Sequence, residues 1–342
     1  MGSTLHASPS MKWRVFWGVR FLKIWIIYGK PESMLSPEAY EVHRLVQTCR
    51  ARNIDVSVFA PEQFELLVAR DDERSVRIDG AQVELPDAVL PRTGAGTTYF
   101  ALAVIRQLER LRVPTFNNAV SIETVKDKLL AHQVLAQNHL PIPKTMLAKN
   151  PVDTALVWRT LGYPVVLKTL SGRQGSGVFL CEDSRRLDEI LQLIRATQAH
   201  VNLILQEFIA PSKGRDFRVL VVGGRVVAGM ERRAQGDCFK ANFSQGGEVV
   251  RWVPDKQAEW LALESARILG LDIAGIDLLI DDGGYKICEA NSSPGFEGME
   301  SCCDIDVASE IVDFLSLRMG RVLGHSPLPL GPEIKAVRAI VP

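Results

Sequence analysis

Four familiar signatures are missing from the 342 residues: no C-x-x-C pair, no H-E-x-x-H, no G-x-G-x-x-G and no G-x-x-x-x-G-K-[ST]. The first two absences exclude zinc ribbons, thioredoxin-like redox motifs and zincin proteases. The last two exclude the common strand-to-helix phosphate loops. Net charge is absent as well. Forty basic residues balance forty acidic ones, so no general attraction to nucleic acid or to an anionic membrane follows. Six cysteines (49, 181, 238, 288, 302 and 303) without framework spacing read as reduced thiols of a cytoplasmic protein, Cys302 and Cys303 as small buried side chains. Long apolar runs are missing too. "MKWRVFWGVRFLKIWIIYGK" (11–30) begins like a signal peptide, but Lys12, Arg14, Arg20 and Lys23 interrupt it. It falls short of the ~20 apolar residues that a spanning helix needs. Its second half reads as a first strand, with residues 1–20 as an extension. What remains is ordinary globular composition, 46% hydrophobic and 23% charged, in a length that suits two domains.

Strands alternate with helices in the first third. After strand 22–28, "SPEAYEVHRLVQTCRARNI" reads as a helix with Ser36 as cap and Pro37 at its first position. "DVSVFAP" is a strand, "VRIDGAQVEL" a hairpin around Asp79-Gly80, "DAVLPRTG" a strand and "TTYFALAVIRQLERLRV" a helix. This alternation implies a mostly parallel sheet covered on both faces, ending near Asn118. "SIETVKDKLLAHQVLAQNHL" (121–140) reads as one amphipathic helix with Ser121 or Thr124 as cap. Beyond "PIPKTM" a second block begins. It holds strand "YPVVLKTL", strand "GVFLCED", a helix, strand "NLILQEFI", a hairpin turning at Gly223-Gly224, a helix, a second hairpin through "DDGG" and a closing helix.

"SGRQGSGVFL" (171–180) joins two strands with too few residues for a crossover, so it is a hairpin tip. Gly172, Gly175 and Gly177, with Gln174 and Ser176, would let backbone N–H groups hold phosphate from above as a flap. An ordinary glycine-rich turn has the same pattern. Lys168 ends the strand entering the loop, and a lysine in an apolar strand is costly unless it reaches solvent or an anion. "LILQEFI" carries Gln206 and Glu207, and a strand edge with free backbone groups can read an adenine edge. Asp216 and Arg218 share one strand face, as a ribose or amine acceptor and a carboxylate or phosphate grip, or simply as a surface ion pair. Arg232, Arg233 and Lys240, with the amide of Asn242, offer cations near one phosphate site, or a solvated basic loop.

The acidic end is the most informative. Asp277 stands among apolar residues, while Glu289 and Asn291 are two apart and share a strand face. These oxygen donors suit Mg²⁺, which takes one or two carboxylates and leaves its other positions to phosphate and water. Hydrogen-bonded structural acids are the competing reading. For Asp277 to stand opposite Glu289, the "DDGG" turn must hold an odd number of residues, such as three. A two-residue turn would set the carboxylates on opposite faces and defeat the metal site.

Taken in order, "VVLKTLSGRQGSGVFL", "ILQEFI", "GRDFRVLVVGGRVVAGMERRA", "GIDLLI" and "EANSSPGFEGME" resemble the ATP-grasp ligases. The nearest likeness is to RimK-type α-L-glutamate ligases, which add glutamates to the C-terminus of a small-subunit ribosomal protein. It runs from about Phe21 to Arg318. The resemblance implies an α/β fold: a pre-ATP-grasp domain (21–118), then an ATP-grasp domain (119–320). The latter would hold ATP between two antiparallel sheets, with a lid over 141–210 and a C-terminal lobe over 211–320. Residues 1–20 lack a counterpart, and 321–342 form a proline-rich tail. Lys128 and Lys168 would face the nucleotide, Glu207, Phe208 and Ile209 its adenine, and Asp216 its flank. Lys240, Ala241 and Asn242 would approach the phosphates, although one family member carries Arg at the position of Lys240. Asp277, Glu289 and Asn291 would hold two Mg²⁺ (or Mn²⁺) ions. Arg218, Arg233 and Lys240 would assist catalysis.

The implied reaction is amide formation through an acyl phosphate with ADP release, using L-glutamate or another amino acid and a ribosomal protein C-terminus. A homo-oligomer is expected, and neither direct nucleic-acid contact nor a membrane span. Relatives on this scaffold make other amide bonds, so a small-molecule or cofactor glutamyl ligase is the alternative. A nucleotide-binding module without turnover, or a kinase that stops at phosphoryl transfer, would also use ATP.

Overall fold

The computed structural model describes residues 21–70, 75–148, 151–170, 177–197, 202–236, 239 and 247–320. The chain opens with β1 (Lys23–Ile27), α1 (Tyr40–Ala51) and β2 (Asp55–Phe59). A small antiparallel sheet follows from β3 (Phe64–Leu66), β4 (Val76–Ile78) and β5 (Ala81–Gln82), the last two turning at Asp79-Gly80 as expected. Next come β6 (Ala88–Pro91) and α2 (Tyr99–Arg110). β1 pairs in parallel with β2 on one side and β6 on the other, so the strand order reverses at β1. The helix expected from Ser36 starts at Tyr40 instead, and Ser36 does not cap it.

The helix expected over 121–140 is two helices, α3 (Ala119–Lys126) and α4 (Lys128–Gln137). Asn118, not Ser121 or Thr124, caps α3. Asp127 leaves helical geometry and its carboxylate accepts from Leu129 N at 2.9 Å and Leu130 N at 3.1 Å. A short acid that can satisfy orphan amides competes with helix continuation, and here it wins.

β7 (Thr145–Leu147), α5 (Thr154–Thr160), β8 (Val165–Thr169), β9 (Val178–Cys181), α6 (Ser184–Thr197) and β10 (Leu203–Glu207) form an antiparallel sheet in the order β7-β10-β8-β9. Helices α5 and α6 cover one face of it with Val157, Leu187, Ile190 and Leu191. β8 and β9 are a hairpin, as the glycine spacing implied. Gly177 closes it with φ +80°. A Cβ there would lie 2.2 Å from Thr169 Oγ1, so only glycine fits.

The remaining elements are β11 (Arg215–Val222), β12 (Arg225–Arg233), β13 (Glu248–Arg251), α7 (Lys256–Ile268), β14 (Ile273–Asp281), β15 (Gly284–Asn291), α8 (Glu297–Cys303) and α9 (Val307–Arg318). Their strands make a five-stranded antiparallel sheet, β13-β12-β11-β14-β15. Alternation along β11 divides the labour of its faces. Phe217, Val219 and Val221 pack with α4 and α7. Leu220 and Val222 pack on the opposite side, in the core shared by the first sheet, α1 and α9. Asp216 and Arg218 continue that second face past the edge of the core. The polar end of the face is therefore left for a site.

Asn117 welds the two halves. Its buried amide donates to Ile273 O and Ser292 O, both at 2.7 Å, and accepts from Asp272 N at 2.6 Å and Ile273 N at 2.9 Å. All four bonds span more than 150 residues of sequence. Truncation would strand buried backbone groups, each costing about 1–3 kcal/mol. Asn117→Ala is expected to lower stability by at least the bottom of that range, read from denaturant or thermal midpoints.

Candidate active site

The hairpin β14–β15 turns through Asp282-Gly283, with Asp281 paired to Gly284. This is the two-residue turn that should have sent Asp277 and Glu289 to opposite faces. They nonetheless stand directly opposite each other. Leu278 pairs with Ile287 and Asp277 with Glu289, so Cys288 is an extra residue, a β-bulge that shifts the register by one. Turn length alone was an insufficient rule, because a bulge between turn and site restores the parity.

His132 holds the bulge. Its Nε2 lies 3.0 Å from Cys288 O, and a carbonyl only accepts, so Nε2 carries the proton. Nδ1 is then the acceptor, 3.0 Å from Thr145 Oγ1 and 3.4 Å from Gln206 Nε2. Burial lowers the His132 pKa to about 4, and the Lys168 and Lys128 charges act in the same direction. The ring is therefore neutral. Gln206 also donates to Thr145 Oγ1 at 2.9 Å and accepts from Lys168 Nζ at 2.6 Å. One hydrogen-bonded chain thus runs from the lysine of β8 to the bulge of β15. Sequence reading passed over His132, because an i, i+13 pairing with Thr145 leaves no periodic mark.

On the polar face, Arg218 grips Asp277 with Nε and Nη2, both at 2.7 Å. Arg232 Nη2 reaches Asp277 Oδ2 at 2.9 Å and also binds Asp216, with Nε–Oδ1 at 2.5 Å and Nη2–Oδ2 at 2.8 Å. Burial alone would raise the Asp277 pKa, but the Arg218 and Arg232 guanidiniums outweigh it and hold the group at about 2. Asp216 is pushed up instead, by burial and by the Asp277 charge, against the pull of Arg232. Glu289 Oε1 accepts from Lys128 Nζ at 2.6 Å. Burial opposes ionisation there, and Lys128 overcomes it to leave the pKa lowered. Asn291 Nδ2 lies 3.4 Å from Asp277 Oδ2.

The candidate residues thus divide. Lys128, Asp216, Arg218, Asp277, Glu289 and Asn291 converge on this face, and Lys168 reaches it at the bulge, 3.7 Å from Cys288 Sγ. Arg233 does not join them. It is half exposed and ion-paired with Glu231 at 2.8 Å, on the other side of β12. Its neighbour Arg232 faces the site in its place, because strand residues alternate. The strand-edge reading of "LILQEFI" is also corrected, since β10 is paired on both sides, to β7 and β8. Gln206 is buried in the hydrogen-bonded chain described above. Glu207 is tied to Lys286 Nζ at 2.6 Å and Lys144 N at 2.9 Å. Phe208 and Ile209 follow the paired segment, half-buried and buried respectively. Gly172, Gln174, Gly175, Ser176, Lys240, Ala241 and Asn242 lie outside the described residues.

Could these groups hold a divalent cation? Among the described residues no cluster of three His, Cys, Asp or Glu side chains occurs. The set is two carboxylates and an amide. Glu289 Oε2 and Asn291 Oδ1 accept no hydrogen bond from a described residue, and Asp277 Oδ1 accepts one. Hard oxygen donors in this number fit Mg²⁺ bound partly by phosphate.

Comparison with known proteins gives a consistent result. Residues 32–122 match the RimK PreATP-grasp domain, and residues 125–315 match the RimK-like ATP-grasp domain. A probable alpha-L-glutamate ligase of Rhodopirellula baltica is 37% identical over 285 residues, 83% of this chain and 70% of the relative. One from Aeromonas salmonicida is 37% identical over 288 residues, 83% of this chain and 95% of the relative. Among solved structures, the ATP-grasp ligase PsnB complexed with a phosphomimetic variant of its minimal precursor, Mg and ADP superposes with TM-score 0.65 at 19% identity. It covers 86% of this chain and 98% of PsnB. The D-alanine–D-alanine ligase of Bacillus anthracis superposes with TM-score 0.61 at 16% identity, covering 87% and 98%. These structural likenesses are to the fold. No helix among the described residues is long and apolar enough to cross a membrane.

The His132 network has a pH signature. Its folded-state pKa, about 4, lies below the usual 6.5, so the unfolded chain binds more protons between these values. The contribution linked to His132 is complete above pH 6.5 and is lost as pH falls toward 4, with a slope of up to about 1.4 kcal/mol per pH unit. His132→Gln is expected to flatten this slope between pH 6.5 and 4.5, measured by denaturant midpoints across pH.

Proposed function

Because the chain belongs to the RimK-like ATP-grasp family and is an ATP-dependent ligase, we propose that it adds L-glutamate to the C-terminal carboxylate of a protein, with ATP and Mg²⁺. One observation carries the site assignment: Asp277 and Glu289 stand opposite each other on one sheet face, with Asn291 beside them and Lys168 reaching the same strand. Unlike Arg218, Arg232 and Lys128, Lys168 has no carboxylate partner among the described residues. Among the described residues its hydrogen-bond partners are Gln206 and Cys288, and it acts on Glu289 from further away, which leaves it placed to meet phosphate.

The acceptor carboxylate attacks the γ-phosphorus, forming an acyl phosphate as ADP departs. The amine of glutamate then attacks the acyl carbon. Inorganic phosphate leaves, the amine loses a proton, and an amide results. Asp277, Glu289 and Asn291 would hold Mg²⁺, which when bound offsets charge on the phosphates. Lys168 orients the nucleotide phosphates, while Arg218 and Arg232 fix Asp277 in its ionised form. The β8–β9 hairpin, a tip rather than a strand-to-helix loop, would cover the phosphates and keep water from the acyl phosphate. Lys128 holds Glu289 on the site face.

The protein is to be incubated with ATP, Mg²⁺ and a panel of L-amino acids, with and without ribosomal proteins, following ADP release and product mass. Glutamyl units on a protein C-terminus support the proposal. Coupling of free amino acids to each other favours a small-molecule ligase, and AMP in place of ADP sinks the acyl-phosphate scheme. Asp277→Asn and Glu289→Gln should each lower kcat by about 100-fold or more, while the fold, read by circular dichroism, persists.

A further inference from the structure

At the carboxyl ends of β1 and β6, where the strand order of the first sheet reverses, the sequence "PRTGAGT" (91–97) leaves the sheet. Crevices at such switch points are where open α/β sheets bind ligands. Arg92 stands at this point and is 6% exposed. Its backbone extends the sheet, with N to Ile27 O at 2.7 Å. Among the described residues its side chain makes one hydrogen bond, Nη2 to Pro294 O at 2.7 Å, and it lies over the Phe296 ring at 5.8 Å. Among the described residues no carboxylate forms an ion pair with it. Glu41 acts on it from further away, but Glu41 Oε1 is taken by Phe296 N at 3.0 Å. Tyr28 is the other titratable group facing it. Burial lowers the Arg92 pKa, so its charge is poorly compensated by the protein. Among the described residues the other guanidinium nitrogens have no hydrogen-bond partner, and they are not fully buried.

The position connects this cation to the metal face. Asn291 leads through Ser292 and Ser293 to Pro294, the residue Arg92 holds. Pro294 in turn packs on Gly275, where a Cβ would come within 2.7 Å of the proline Cβ and 3.6 Å of Arg218 Cδ. Gly94 lies against Ser293, with a Cβ contact of 3.8 Å. Arg92 and its turn therefore border the Asn291 end of the site, through Pro294, which packs on Gly275 beside Arg218.

Ligation chemistry requires such a group. When an amino acid supplies the amine, its own carboxylate takes no part in the bond changes and stays ionised throughout. It needs a cation that the phosphates do not use. Arg218 and Arg232 are neutralised by Asp216 and Asp277, and Lys128 by Glu289. Lys168 is committed to the nucleotide. We propose that Arg92, with the 93–97 turn, binds the α-carboxylate of the amine-bearing amino acid beside Asn291. This rests on the ligase reading above.

The test compares acid with amide in the full chain. ADP release is measured with ATP, Mg²⁺, ribosomal proteins as acceptor, and each L-amino acid of the panel or its α-carboxamide, L-glutamate and L-glutamate α-amide first. The wild type should show a KM for the acid about tenfold or more below that for the carboxamide. Arg92→Met should bring this ratio to about one, and Arg92→Lys, which keeps the charge but not the fork, to an intermediate value. The KM for ATP should stay within about twofold. A residue that merely braced Pro294 would not change the acid-to-amide ratio. If Arg92→Met fails to fold, by its melting curve, Arg92→Lys decides. An unchanged ratio in a folded, active variant overturns the Arg92 site alone, as does a wild type that treats acid and amide alike. A wild type whose ADP release no amino acid stimulates with the acceptor present overturns the proposed function, and this site with it.

Discussion

The facing of Asp277 and Glu289 depends on one extra residue in β15. Side chains alternate along a strand, so without the bulge at Cys288 the Glu289 carboxylate would point into the apolar layer formed with α4 and α7. A carboxylate buried there without a partner would cost several kcal/mol or lose its charge. With the bulge, it meets Lys128 and the Asp277 edge of the polar face. The surroundings answer that constraint. Asp127 breaks the helix so that α4 starts at Lys128, and His132, one turn on, donates to the bulge carbonyl. Gln206 and Thr145 complete the acceptor side of the imidazole and carry the chain of bonds to Lys168.

Charge balance on this face follows a simple pattern. Two guanidiniums and two carboxylates, Arg218, Arg232, Asp216 and Asp277, form a buried cluster. Such a cluster is poor evidence for stability, since desolvation offsets most of the attraction. Its effect here is positional: Asp277 stays ionised and fixed in orientation without any ligand. Lys168 and Arg92 differ from that cluster. Among the described residues both hydrogen-bond only to neutral groups, one beside the bulge and the other beyond Asn291. This combination suits the proposed binding of a polyanion and a carboxylate in adjoining subsites.

Local elements were readable where a single residue type dictates the backbone. Asp79-Gly80 and Gly223-Gly224 marked their turns, and the glycines of 171–180 marked a hairpin tip instead of a strand-to-helix loop. The parallel first sheet and the shared strand face of Glu289 and Asn291 were also legible, because alternation and spacing suffice for them. Errors arose where distant parts of the chain decide. Asp127 splits a helix whose periodicity continues across the break. β10 is not an edge, because β7, some 60 residues earlier, pairs with its free side. Arg232 and Arg233 are adjacent and chemically identical, and only pairing across β11 says which one meets Asp277.

By itself, then, the sequence determined the element types, the order of the two α/β blocks and the kinds of side chain available: lysines in apolar strands and helices, and oxygen donors suited to a hard cation. These follow from local sterics, hydrophobic period and side-chain chemistry, which act over a few residues. Only the tertiary structure decided which donors converge. The bulge that restores the Asp277–Glu289 register, the His132 bond that holds it, the choice of Arg232 and the shielded position of Arg92 beside Pro294 all depend on contacts between residues far apart in the chain. No local pattern encodes them, because a one-residue register shift changes the face of every side chain while leaving composition and spacing the same.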